Sequence, residues 1–184
     1  MSITAADAQV VLDNADCLYS KNDVEQAIVR LSSEITEKLR DKNPIILCVM
    51  NGGLVPAGLL ITHLNFPLQV DYLHATRYRG KTNGSDLHWL AKPQFDLKDR
   101  VVLVIDDILD EGLTLKEILA YCRQQGVKDL YSAVLVEKLH DRKTGEKHAD
   151  FIGLQVEDRY VFGFGMDYKG FLRNAPGIYA VKGE

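Results

Sequence analysis

The sequence predicts an α/β fold, a mostly parallel twisted sheet flanked by helices. Two observations carry that expectation. Ile45 to Met50 and Val101 to Ile105 are unbroken apolar runs, the pattern of strands covered on both faces. Each is followed by a turn rich in Gly or Asp and then by a helical stretch, which is the unit from which parallel sheets are built.

The elements follow in order. Between Lys21 and Arg40, Val24, Ala27, Ile28, Leu31, Ile35 and Leu39 recur at helical spacing, while Glu25, Arg30, Glu34 and Lys38 take the polar face. Pro44 ends this helix, and 45–50 forms the first buried strand. Asn51-Gly52-Gly53 is a tight turn that leads into a short apolar helix at 54–63. Residues 68–78 alternate moderately, and a polar stretch at 79–86 with two glycines divides them from 87–92, which predicts two strands joined by a loop. Strand 101–106 leads to a helix at 114–125, with Thr114 and Glu117 spaced as a capping box and Gly126 just past the helix end. A further strand is expected at 130–137, and short strands at 151–156, 160–164 and 177–181 are expected to build a cap.

At 184 residues, 46% hydrophobic and 26% charged, the chain suits a single folded domain spanning 1–184. A formal net charge of −4 weighs against a broad nucleic-acid surface. The N-terminal stretch lacks the basic and long apolar segments of a secretory signal, and no stretch reaches membrane-spanning length, so a cytoplasmic location without a membrane partner is expected. Cys17, Cys48 and Cys122 are odd in number and widely spaced, which argues against a disulfide framework or a zinc ribbon and for buried hydrophobes. Gly80-Lys81-Thr82 imitates the end of a nucleotide-hydrolase phosphate loop, but Ala75 stands at the place of its first glycine.

The order at 101–115, VVLVIDDILDEGLTL, is the most informative in the chain. Asp106 and Asp107 stand at the exit of a strand, the edge where open α/β sheets bind ligands, and Asp110 follows closely. A helix starting behind Glu111-Gly112-Leu113-Thr114 turns unpaired N–H groups toward an anion. Carboxylates suit vicinal diols and hard cations alike, although a double acid taken alone could equally be a solvated strand end.

This stretch resembles the phosphoribosyl pyrophosphate (PRPP) motif of the type I phosphoribosyltransferases: an apolar run, two acids, two apolar residues, Asp, a Gly-containing segment and Thr. The likeness runs from Met50 to Arg173 and is nearest to the bacterial hypoxanthine-guanine branch, because ADFIGLQVEDRYVFGFGMDYKGFLR at 149–173 is similar to that branch's purine-binding hood. The resemblance implies a core at about 40–150 and a hood from about 1–20 and 151–184. It implies a purine salvage enzyme that converts hypoxanthine or guanine and PRPP to IMP or GMP and pyrophosphate, with Mg2+ as cofactor. Asp110 would accept or share the proton of purine N7, and Asp106 and Asp107 would hold the ribose hydroxyls directly or through magnesium. Glu111, Gly112, Leu113 and Thr114 would surround the 5′-phosphate, and Asn51, Gly52 and Arg173 the pyrophosphate, with a cis peptide between Met50 and Asn51. Lys138 would donate to the purine 6-oxo group, Tyr160 would stack on the ring, and the backbone of Val161 would read the 2-position. Asp167 would lie beside the purine and ligate a second magnesium, and Arg77 and Tyr78 would open a lid.

The chain departs from that pattern in several places. Asp106 stands where Glu is frequent, Asn51 where Lys is frequent, Arg77 where Ser is usual and Tyr160 where Phe is frequent. Glu111 stands where a hydroxyl is usual, and its charge would repel a phosphate unless it points away. The resemblance further implies a homodimer or homotetramer acting on small molecules. The alternatives are a preference for xanthine and a PRPP-sensing regulator that binds nucleic acid on the same fold.

Overall fold

The structure is a computed structural model that describes residues 3–77 and 87–183. Along the chain lie α1 (Ala5–Asn14), β1 (Asp16–Ser20), α2 (Lys21–Leu39), β2 (Ile45–Met50), α3 (Leu54–Ile61), β3 (Gln69–Arg77) and β4 (Leu87–Ala91). They are followed by β5 (Val101–Leu109), α4 (Leu113–Gln124), β6 (Asp129–Leu139), β7 (Phe151–Glu157), β8 (Val161–Phe162) and β9 (Gly177–Ala180). Six strands form one sheet in the order β4-β3-β2-β5-β6-β7, parallel throughout except for β4, which runs antiparallel to β3.

The unbroken apolar runs are buried because the sheet is covered twice. Alternate residues of a strand face opposite sides. Accordingly Ile46, Cys48, Leu103 and Ile105 pack with Val24, Ile28, Leu31 and Ile35 of α2 and with Ala57 and Leu60 of α3. Ile45, Leu47, Val102 and Val104 pack with Leu115, Ile118, Leu119 and Cys122 of α4 on the other face. Burial pushes the Cys48 and Cys122 thiols up to about 11, in keeping with inert packing residues, while Cys17 is exposed.

A second, smaller antiparallel sheet has the order β1-β9-β8. Arg159 fastens it, reaching Asp16 at 2.6 Å and the Val181 carbonyl at 3.0 Å. Among the described residues, no helix is long and apolar enough to cross a membrane.

Local differences from the sequence expectations have physical causes. β5 continues to Leu109 because Asp106, Ile108 and Leu109 keep pairing with β6, so the double acid lies within the strand and not beyond it. α4 starts at Leu113 behind Gly112, with no side-chain cap, so the expected Thr114 capping box does not form. β7 joins the edge of the large sheet beside β6, and α2 packs on that sheet, so the core extends past 40–150 at both ends. α1 escaped the sequence reading because Ala8 is its only buried residue, which leaves no apolar stripe; its signal is the Thr4–Asp7 capping box. Arg77 ends the backbone of β3, and Tyr78 lies outside the described residues.

Leu103 is fully buried in the central strand beneath the acids. Leu103→Ala is expected to cost about 2–5 kcal/mol of unfolding free energy. A denaturant titration of the ligand-free protein measures it, and a loss under about 1 kcal/mol would contradict the packing described.

Candidate active site

Met50 to Gly52, the end of β3, the end of β5 and the first turn of α4 enclose a cavity of about 620 Å³. Its lining includes Asn51, Gly52, His74, Thr76, residues 106–115, Asp167 and Arg173. The sheet delivers these groups to one place because β2, β3 and β5 are parallel neighbours whose C-terminal ends coincide. The Met50–Asn51 peptide is cis.

Asp106 and Asp107 are adjacent and largely withdrawn from solvent. Asp106 Oδ1 accepts the Asp107 N–H at 2.9 Å, and Asp107 Oδ1 accepts the Ile108 N–H at 2.8 Å. Burial, followed by the charge of its neighbour, pushes the Asp106 carboxyl well above the usual carboxylate range. Asp107 is also raised by burial, against the pull of its hydrogen bonds and of Arg173. Gly52 is required here, because a Cβ at that position would overlap the Asp107 carboxylate. Arg173 lies between two acids, with Nη1 3.8 Å from Asp107 Oδ2 and Nη2 2.6 Å from Asp167 Oδ1. The other Asp167 oxygen accepts the Gly170 N–H at 2.7 Å.

Asp110 occupies a different electrostatic corner. Its Oδ2 is 3.0 Å from Lys138 Nζ and its Oδ1 is 2.7 Å from His140 Nε2. Burial works upward on this carboxyl, but the hydrogen bonds from Lys138 and His140 outweigh it and hold the group below its ordinary value. Lys138 Nζ lies 4.0 Å from Asp158, which Arg142 Nη2 grips at 2.6 Å. Ligand atoms of Asp110, His140 and Asp158 fall within 4.8 Å of one another, a spacing a metal could use. Lys138 and Arg142 already neutralise these acids, so the arrangement is an ion-pair network.

The loop before α4 presents its backbone to the cavity. Gly112 has φ +78°, and a Cβ there would overlap the Glu146 carbonyl of the segment packed behind it. That segment braces the loop: Gly145 N–H donates to the Glu111 carbonyl at 3.0 Å and Glu146 N–H to the Gly112 carbonyl at 2.9 Å. Leu113 and Thr114 then open the helix on the cavity wall, where backbone N–H groups and the helix dipole favour an anion. Glu111 has Oε1 3.7 Å from Arg142 Nη1, so its charge is shared with a guanidinium.

The expected purine-side residues are placed less uniformly. Lys138, Tyr160 and Val161 do not line the cavity. Lys138 contacts Asp110 directly, Tyr160 is exposed with its ring edge-on to Tyr168 at 5.4 Å, and Val161 is buried in β8. On the pyrophosphate side, Gly53 N–H is committed to the Val49 carbonyl at 2.8 Å, which leaves Asn51 and Gly52 as the cavity-lining part of the turn. Sequence reasoning missed His74, Thr76, His140, Arg142 and Asp158. Only His140 carried a signal, since it follows Lys138 by two residues at the end of a strand and so falls on the same side.

The phosphoribosyl transferase domain pattern matches residues 14–169. The chain belongs to the phosphoribosyltransferase family. It is 33% identical over 165 residues to the hypoxanthine-guanine-xanthine phosphoribosyltransferase of Tritrichomonas foetus, covering 90% of each chain. It is 31% identical over 166 residues to the hypoxanthine-guanine phosphoribosyltransferase of Bacillus subtilis, covering 90% of this chain and 92% of that one. A solved hypoxanthine-guanine-xanthine phosphoribosyltransferase superposes with a TM-score of 0.84 at 31% identity, over 92% of this chain and 99% of the other. In this phosphoribosyltransferase the large sheet carries the double acid, α4 follows it on the cavity wall, and Asp167 and Arg173 lie in the loop between β8 and β9.

The raised Asp106 carboxyl has a stability consequence. Its contribution is fully present below the unfolded value, about 3.9, and is lost as pH rises through the higher folded value. At neutral pH, where the unfolded chain carries this carboxyl ionised in water, its burial therefore opposes folding. Asp106→Asn is expected to raise the melting temperature of the ligand-free protein at pH 7.5, by about 2–4 °C for each kcal/mol relieved, and the gain is expected to vanish in acid. Differential scanning calorimetry at both pH values tests this; a lower melting temperature at pH 7.5 would contradict the electrostatic account.

Proposed function

We propose that this chain is a magnesium-dependent hypoxanthine-guanine phosphoribosyltransferase of purine salvage, forming IMP or GMP and pyrophosphate from the base and PRPP. The observation that carries the reading is a single cavity lined at once by Asp106, Asp107 and Asp110, the α4 phosphate loop, the Asn51-Gly52 turn and Arg173. Those are the groups needed for a ribose diol, a 5′-phosphate, a pyrophosphate and a purine nitrogen.

Each group follows its own chemistry. Residues 111–114 bind the 5′-phosphate through backbone N–H groups and the Thr114 hydroxyl, with Glu111 drawn toward Arg142. Asp106 and Asp107 hold the ribose hydroxyls. Asn51, Gly52 and Arg173 receive the departing pyrophosphate, the guanidinium by paired hydrogen bonds. Asp110 offsets the positive charge that grows on the purine when N7 attacks the anomeric carbon, and accepts or shares the N7 proton. Lys138 turns from Asp110 to the 6-oxo group, a contact that disfavours a 6-amino purine because two donors would then oppose each other. Tyr160 stacks on the ring and the Val161 backbone reads the 2-position.

Asp106 and Asp107 fit magnesium: they are hard oxygen donors set side by side on the cavity wall and largely withdrawn from solvent. Asp167 fits a second ion only by giving up Arg173 or sharing it, since both of its oxygens are engaged. A magnesium ion held there would supply positive charge to a pyrophosphate leaving group.

The T. foetus relative's name includes xanthine, so xanthine acceptance is a second reading. Exposed Leu54, Leu59, Val70, Tyr72 and Phe95 support assembly as a homodimer or homotetramer. We place the activity in the cytoplasm, on small molecules and not on nucleic acid or membranes.

A spectrophotometric assay with PRPP, magnesium and each of hypoxanthine, guanine, xanthine and adenine separates the readings. Turnover with hypoxanthine and guanine and none with adenine is expected, whereas no turnover on any base would favour a PRPP-binding regulator. Asp110→Asn is expected to lower kcat about 10²–10⁴-fold with little change in KM for PRPP. Wild-type kcat in that variant would remove Asp110 from the purine-side role.

A further inference from the structure

We infer that His140 is a positioning residue for Asp110, and that a backbone-enforced tautomer makes it a fixed donor that sets the plane of the Asp110 carboxylate. The inference rests on the reading of Asp110 as the purine-facing acid. The histidine side chain is 5% exposed, and its Nε2 lies 2.7 Å from Asp110 Oδ1. On the other side of the ring, the Arg142 backbone N–H donates to Nδ1 at 3.1 Å. A backbone N–H can only donate, so Nδ1 is the acceptor and the proton sits on Nε2, pointing at Asp110.

That assignment decides what His140 can do. With Nε2 already carrying a proton, the ring cannot take one from Asp110, so it is a donor and not a relay. The terminal torsion of an aspartate is broad and roughly two-fold, so one contact leaves the carboxylate plane poorly defined. Here each oxygen has its own donor, Lys138 on Oδ2 at 3.0 Å and His140 on Oδ1. Lysine is a flexible four-carbon stem whose ammonium is also needed by the base. The rigid imidazole, seated on its own loop, therefore keeps Asp110 oriented when Lys138 turns away. The charged groups around the ring are Asp110 from the segment before α4, Lys138 on β6, Arg142 on the following loop and Asp158 between β7 and β8. Behind it, Glu137, Lys143 and His148 share a neighbouring cavity of about 740 Å³ with His140.

The test compares His140→Leu, His140→Gln, Asp110→Asn and the double variant His140→Leu/Asp110→Asn. Thermal melts establish folding, and His140→Asn serves as the loss variant if His140→Leu does not fold. His140→Leu is expected to lower kcat on the order of tenfold to a hundredfold with KM for PRPP unchanged. His140→Gln, which keeps a side-chain N–H at similar reach, is expected to recover most of the loss. Carbon NMR is expected to show the Asp110 carboxyl titrating at higher pH in His140→Leu than in wild type, since a donor to the charged form is gone. In the Asp110→Asn background the leucine substitution is expected to add nothing. Wild-type kcat in His140→Leu, an unmoved Asp110 titration, no rescue by glutamine, or an equal loss in the double variant would each overturn the inference. Wild-type kcat in Asp110→Asn alone would instead strike the reading of Asp110, and this inference with it.

Discussion

Two carboxylates of like charge, Asp106 and Asp107, are buried next to each other at the end of the central strand, and the rest of the site is arranged around that unfavourable pair. Their burial and mutual repulsion are offset on the protein side by backbone N–H groups and by Arg173 from the loop between β8 and β9. Gly52 permits the approach of Asp107 to the opposing turn. A large apolar core on both faces of the sheet supplies the stability that lets such a pair persist.

The three acids of one short segment consequently have opposite characters. Burial raises the carboxyls of both Asp106 and Asp107, and that of Asp106 well above its ordinary value. Asp110 is instead held below its ordinary value by the hydrogen bonds from Lys138 and His140, which outweigh its burial. The separation arises from the end of β5. The first two acids still belong to the strand and its neighbours, whereas Asp110 has left it and meets the end of β6.

The loops divide labour in the same way. The segment at 145–146 braces the turn before α4 through paired backbone hydrogen bonds, so the N–H groups that open the helix are held in place. Arg142 of the same connection reaches both Glu111 and Asp158, linking the turn before α4 to the segment between β7 and β8.

Much of this was legible in the residue order because it depends on local chemistry. Continuous apolar runs announced the doubly covered strands, and the 101–115 segment announced the acids, the turn and the helix behind them. The start of α4 was misplaced by one residue because a left-handed glycine, and not the Thr114 side chain, ends the turn. α1 was missed because it buries too little to leave a periodic pattern. By itself, then, the sequence determined the sheet class, the central strands and the acidic segment that leads into α4, since each is encoded in contiguous residues. Only the tertiary structure decided that Arg173 sits between Asp107 and Asp167, that β7 joins the large sheet, and that His140 and Lys138 share the oxygens of Asp110. Those contacts join residues far apart in the chain, and their energies depend on burial and distance, which no local pattern records.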